Sequence, residues 1–280
     1  MPKSSIEVTL VSHVAVIWLD RQEVRNAMDA AMVGALDAAL SKLDADNSVR
    51  AVVIASRGQA FCSGIDVRWM RRMGRSALGV NTGDAQALAR LLQRLDSLGK
   101  PTIARVQGAA YGGGLGLIAA CDIAVAALDA DFCLSETRLG LAPATIAPYL
   151  VRAIGERQAR RYLVSGEHFT AAEAYRIGLV HELAPPETLD ERINEILGNF
   201  QLLGPKAVYA AKQNIAQVSE IHISPEIISA MASRAAVLRA SEEGQEGINA
   251  FLEKRAPSWV TKGNKGSERS NRPRKARAKS

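Results

Sequence analysis

The chain has 280 residues, of which 48% are apolar, 5% aromatic and 23% charged, with three cysteines and a formal net charge of +6. Those proportions exclude a mainly disordered chain, a collagen-like repeat and a disulfide scaffold, and the length suits one large domain or a domain with an appendage. The charge is unevenly placed: residues 262–280 hold eight basic side chains against Glu268, a local +7, which leaves −1 on the rest.

In chain order, Ile6 to Val11 and Val14 to Leu19 read as two strands of a hairpin joined at Ser12-His13. Asp29 is placed to cap a helix that carries Met32, Val33, Leu36, Leu40 and Leu43 on one face. Ala51 to Ile54 follows as a buried strand, and strand, helix, strand in that order predicts a parallel crossover. Ser56 to Gly64 reads as a loop. Asp84 to Leu98 reads as a helix stopped at Gly99-Lys100-Pro101, and Thr102 to Val106 is the next strand. Then comes a glycine-rich run, Gly108 to Gly116, leading into the apolar stretch Leu117 to Ala120. Ile123 to Ala127 and Phe132 to Leu134 are further short strands. From Ile146 the pattern is mostly helical, with joints at Pro185-Pro186, Gly204-Pro205 and Ser224-Pro225 and a last helix capped by Ser241. The composition after Lys262 predicts a disordered basic tail.

Other classes of function find little support. Cys62, Cys121 and Cys133 have no CxxC spacing and suit reduced thiols, while His13, His168, His181 and His222 are too scattered for a metal cluster. The N-terminus lacks the features of a signal peptide, and its longest apolar run, Val14 to Leu19, is too short to cross a membrane. The expected compartment is the cytoplasm. The basic tail raises nucleic-acid binding as an alternative, but no aromatic residue is interleaved in 262–280 to stack on bases.

Three adjacent glycines need a reason, because each lowers helix or strand stability by up to about 1 kcal/mol relative to alanine. One reason is a tight strand-to-helix connection. Another is close approach of backbone N–H groups to a ligand at a helix N-terminus. A P-loop is excluded, since no Gly-Lys-Ser/Thr closes the segment. Gly114-x-Gly116-x-x-Ala119 matches a dinucleotide fingerprint, with Glu136 lying 20 residues beyond Gly116, but Gln107 to Gly113 separate it from its strand. The remaining reading is an oxyanion hole, with one N–H from the glycine run and a second from Phe61-Cys62-Ser63-Gly64-Ile65-Asp66. That hexapeptide is equally readable as a loop and helix cap.

Arg25-Asn26-Ala27-Met28, Ala60 to Asp66, Gln107 to Gly116, Cys121-Asp122, Ser135 to Leu141, Ala171 to Ala174, Gly178-Leu-Val180 and Glu246 to Arg255 fall in an order that resembles the crotonase (enoyl-CoA hydratase/isomerase) family. The resemblance covers about residues 6 to 262. It implies an α/β fold, a spiral of β-β-α turns over residues 1–200, with a helical oligomerisation region at 201–262, a basic tail at 263–280, and assembly as a homotrimer or homohexamer. The implied substrate is an acyl thioester of coenzyme A, with no separate cofactor, since coenzyme A is part of the substrate. The thioester oxygen would lie between the N–H groups of Ile65 and Gly113. Arg25, Ala27, Ser63, Gly64, Asp66, Tyr111 and Gly112 would line the substrate groove, and Lys262 would meet coenzyme A phosphates from a neighbouring subunit.

Hydratases of the family resemble one another in two glutamates. The second matches Glu136, whereas the first falls at Gly116. Hydration needs a base for water and an acid for the α-carbon, so Glu136 must serve as both or have help. Three outcomes follow: an isomerase that needs one glutamate, a hydratase whose substrate carboxylate positions the water, or a thioester binder without turnover. The sequence Phe132 to Ala144 looks most like bacterial 3-methylglutaconyl-CoA and isohexenylglutaconyl-CoA hydratases, enzymes of leucine and acyclic terpene breakdown. That likeness favours hydration of a branched, glutaconyl-type chain, with Arg57, Arg68, Arg71, Arg72 or Arg75 as a partner for its distal carboxylate. An exposed arginine-rich helix face explains those residues equally well.

Overall fold

The computed structural model describes residues 4–219 and 222–260. The hairpin is present, β1 (Ile6–Val11) pairing antiparallel with β2 (Val14–Leu19), and Ser12 and His13 make its turn with positive φ. Asp29 caps α1 (Ala30–Ala45) by accepting from the Met32 N–H at 2.9 Å, and all five expected apolar positions of that helix are buried. β3 (Ala51–Ser56), buried along its whole length, then pairs parallel with β2.

After α2 (Val67–Met73) comes α3 (Leu78–Ser97), which starts six residues before the expected Asp84. Gly79 and Gly83 weaken the helical pattern there. β4 (Thr102–Val106), β5 (Ala110–Tyr111) and α4 (Gly113–Ala120) form one turn of a spiral, and β6 (Ile123–Ala127), β7 (Asp131–Cys133) and α5 (Ala147–Ser165) form the next. The main sheet has the order β1-β2-β3-β4-β6-β9, parallel beyond its first pair, and β5-β7-β8 make a second, small sheet. This is the α/β architecture the resemblance implied.

Two strands fall in the stretch expected to be mainly helical: β8 (His168–Thr170), followed by α6 (Ala171–Arg176), and β9 (Glu182–Ala184). Three residues are too few to show an alternating pattern, and pairing with β7 and β6 decides them instead. α7 (Leu189–Gln201) covers one face of the main sheet through Leu189, Ile193, Ile196 and Leu197. The larger core lies on the other face, where α1, α3, α4 and α5 bring together Leu36, Leu91, Leu95, Leu117 and Leu150. α8 (Pro205–Val218), α9 (Pro225–Ala240) and α10 (Glu242–Leu252) complete the described chain and leave Ile215, Val237 and Phe251 exposed.

Candidate active site

The site is built where the β3–α2 loop meets the glycine run. Two side-chain amides, the buried Asn26 and the half-buried Gln107, lock that loop. The Asn26 side chain donates to the carbonyls of Arg57 and Ala60, both at 2.9 Å, and Gln107 Nε2 donates to Gly58 and Ala60 from the other side. Gly108 must be glycine, because a Cβ there would stand 2.0 Å from the Gln59 carbonyl oxygen. The two segments then run side by side, with Phe61 N–H donating to Ala109 O at 3.0 Å and Tyr111 N–H to Cys62 O at 2.8 Å. On the loop's other edge Met28 N–H donates to Gly64 O at 2.7 Å and Asp66 N–H to Met28 O at 2.8 Å.

In that ladder the Ile65 N–H is left without a partner among the described residues. Gly113 opens α4, and its N–H is among those that a helix cannot satisfy internally. Neither amide is hydrogen-bonded to any described residue. They are neighbours, since a Cβ on Gly64 would lie 3.3 Å from Gly113 N, and Ile65 Cδ1 lies 3.4 Å from where a Gly113 Cβ would be. Both residues line one cavity of about 270 Å³. Two free N–H groups at one wall can accept developing negative charge on a carbonyl oxygen.

Glu136 lines the same cavity from the turn Ser135–Leu139. Its Oε1 would be 2.6 Å from a Cβ on Gly112, which has φ +46°, so glycine there serves both the turn and the close approach of the carboxyl group. Glu136 Oε2 is buried and has no hydrogen-bond partner among the described residues. Burial pushes the Glu136 acid above the ordinary carboxylate range, which favours holding a proton. No bond to Arg138 ties this side chain to the surface. An acid of raised pKa beside free backbone donors is the equipment for moving a proton next to an activated carbonyl.

Gly116, where the first family glutamate would stand, is buried, and a Cβ there would meet Ile146 Cγ2 at 2.4 Å and Leu92 Cδ1 at 3.5 Å. Apolar side chains fill that space. Gly114-x-Gly116-x-x-Ala119 lies within α4, away from the strand-to-helix turn that a dinucleotide fingerprint requires.

The expected groove residues Arg25, Ala27, Ser63, Gly64, Asp66, Tyr111 and Gly112 surround the loop but do not line the cavity. Arg25, at φ 54°, places its guanidinium 5.6 Å from the centre of the Tyr111 ring, and the Tyr111 hydroxyl donates to Asp131 at 2.8 Å. Ala27 is buried, and Ser63 Oγ donates to Val24 O. Asp66 caps α2 and pairs with Arg21 at 3.2 Å; burial pushes its acid up, but the amides of Trp69 and Arg68 and the Arg21 guanidinium prevail and hold it low. Lys262 lies outside the described residues.

None of the five arginines lines the cavity either. Arg57 pairs with Glu7 and packs over the Trp18 ring, Arg72 stacks on Trp69, and Arg68, Arg71 and Arg75 are exposed. Sequence reasoning missed Arg21, which bridges Asp29 and Asp66 and so ties α1 to α2, and it missed the lining residues Trp69, Met70, Met73 and Asp84. A buried Asn26 inside Arg25-Asn-Ala-Met28 was visible, but its two carbonyl partners were not.

Burial also pushes the Cys62 thiol up to about 12, so it is an inert packing group in the loop. Among the described residues no cluster of metal-ligating side chains occurs, and no helix is long and apolar enough to cross a membrane.

The sequence profile of the enoyl-CoA hydratase/isomerase family matches residues 10–262. The chain belongs to that family. It is 32% identical over 257 residues to the 2,3-dehydroadipyl-CoA hydratase of Escherichia coli, covering 91% of this chain and 98% of that one. Among solved structures it resembles an enoyl-CoA hydratase from Shewanella pealeana, with a TM-score of 0.89 at 38% identity over 91% of this chain and 96% of that one. It also resembles Pseudomonas aeruginosa AtuE, with a TM-score of 0.88 at 35% identity over 92% and 100%. The protein is thus an enzyme of the hydratase type, a lyase acting on acyl-CoA thioesters, in a family that also holds isomerases.

Proposed function

We propose that this enzyme hydrates the conjugated double bond of a branched enoyl-CoA. The observation that carries the reading is the buried, unpartnered Oε2 of Glu136 beside the free N–H groups of Ile65 and Gly113. The thioester oxygen accepts from those two amides, and the charge of the enolate gathers there; losing one such donor costs roughly 3 kcal/mol of transition-state stabilisation. Glu136, as the acid, delivers its proton to the α-carbon. Water adds through oxygen to the β-carbon and returns its spare proton to the Glu136 carboxylate, so atoms and charge balance. Likeness to glutaconyl-CoA hydratases supports a branched chain, although no described arginine lines the cavity to meet a second carboxylate.

One observation favours a second reading. Ile146 occupies the space beside Gly116, so only one of the two family glutamates is present, and one glutamate suffices to shift a double bond between the 3- and 2-positions. Incubation of a 2-enoyl-CoA in oxygen-18 water separates the two: label at the β-carbon is the expected result, and conversion of a 3-enoyl-CoA without label would establish the isomerase instead. Arg25, Ala27, Ser63, Gly64, Asp66, Tyr111 and Gly112 then serve the coenzyme A side by shaping the loop. The exposed apolar residues of α8 to α10 support a homotrimer or homohexamer, and a cytoplasmic setting suits three buried, unpaired thiols.

A further inference from the structure

The charges around the cavity carry the reading of the acyl chain further. Among the described residues its charged lining side chains are Asp29, Asp84 and Glu136, all acidic, with no lysine or arginine. Asp29 pairs with Arg21 at 3.1 Å, a guanidinium it shares with Asp66, and Glu136 serves the thioester end. Asp84 is different. Both of its oxygens share one donor, the indole N–H of Trp69, at 3.0 and 3.1 Å, and no described cation lies within ion-pair distance. One shared N–H leaves lone pairs on both oxygens and the full charge uncancelled.

The helix fixes where that charge sits. Asp84, Leu88 and Leu92 follow one another at four-residue spacing on one face of α3, and Leu92 reaches the Gly116 position. Eight residues of helix rise about 12 Å, so Asp84 stands about that far along α3 from the residue packed at Gly116, which on the proposed reading puts it towards the far end of the acyl chain. The rest of the lining is mainly apolar, with Val33, Met70, Met73 and Leu88 beside the uncharged polar Asn81 and Thr145.

We infer that the acyl chain this site accepts is uncharged and aliphatic at its far end, and that Asp84, held by Trp69, is the specificity residue that turns away chains ending in a carboxylate. The inference rests on the thioester reading of the cavity and replaces the glutaconyl-type end group suggested by sequence likeness. A carboxylate brought within several ångströms of Asp84 in this partly dry cavity is repelled enough to weaken binding about tenfold or more.

Calorimetric titration of the full-length protein with hexanoyl-CoA and adipoyl-CoA, equal in length and different only at the end, tests it without turnover. Adipoyl-CoA should bind about tenfold or more weakly, and in Asp84→Asn, which keeps an acceptor for Trp69, the gap should shrink to about threefold or less. Because each ratio is taken within one protein, a lowered folded fraction does not mimic the effect. Equal affinities, tighter binding of adipoyl-CoA, or an unchanged gap in the variant would overturn the inference. Hydration of the matching 2-enoyl pair is followed separately: the expected gap in binding with no hydration removes the hydratase reading alone, whereas failure of both saturated thioesters to bind removes both.

Discussion

The two ends of the cavity are made of different material. At the proposed thioester end lie the backbone N–H groups of Ile65 and Gly113, fixed by ladders to Met28, Cys62 and Ala109 and by glycines that admit no Cβ. At the acyl end the wall is side chains of α2 and α3, namely Met70, Met73, Trp69 and Asp84. Substitutions change side chains freely and backbone hardly at all. On the proposed reading the chemistry is therefore held constant at one end while selectivity is open to change at the other, where flexible methionines adapt to different chains.

The largest effect expected of any single change lies at the thioester end. Glu136→Gln should lower kcat by about a thousandfold in a spectrophotometric assay of the conjugated thioester, with binding of a saturated acyl-CoA retained. Retained activity would move the proton chemistry to another residue. Next, Gly114→Ala drives a Cβ to 2.4 Å from the Cys62 carbonyl oxygen, where only backbone can yield. Denaturant unfolding should show a loss of about 2–4 kcal/mol, against a gain of about 0.5–1 kcal/mol for the same change at Gly34, which lies inside α1 with open space around it.

At the acyl end, Met73→Ala should raise KM for medium-length chains by about three- to tenfold, through lost apolar contact, and leave kcat within about twofold. A kcat loss as large as that of Glu136→Gln would erase the contrast between the two ends.

The smallest effect concerns pH. Burial raises the Glu136 pKa, so the folded chain keeps a proton that the unfolded chain releases near the ordinary value of about 4.3. Stability from this group is intact below that pH and is lost as pH rises through the raised pKa. Glu136→Gln should accordingly raise Tm by about 1–2 °C at pH 7 and leave it unchanged at pH 4. Hydration, which uses the protonated acid, should slow as pH rises through the same range, whereas isomerisation begun by the carboxylate should quicken.

Much of the site was legible because glycine restrictions are local. Gly108, Gly112 and Gly114 each stand where a Cβ would strike a neighbour, and a run of such residues marks itself in the sequence. Asp29 and Asp66 as helix caps were readable for the same reason: a cap bonds to amides two or three residues ahead. The clamps were not, since Asn26 meets carbonyls 31 and 34 residues away and Gln107 reaches back farther still, 47 to 51 residues. The arginines left two readings open because a run of like charges in α2 says nothing about which way the helix faces; Trp69, Met70 and Met73 line the cavity, and Arg68, Arg71 and Arg72 make the exposed face.

By itself the sequence determined the strands with continuous apolar runs, the caps, the turn glycines, the order of the β-β-α units and the presence of one glutamate in place of two. Only the tertiary structure decided that Ile146 fills the space beside Gly116, that β8 and β9 are strands, that the arginines avoid the cavity and that Asp84 enters it. The first group depends on each residue's own backbone preferences and its near neighbours. The second depends on contacts between segments far apart in the chain, whose register and facing no local pattern encodes.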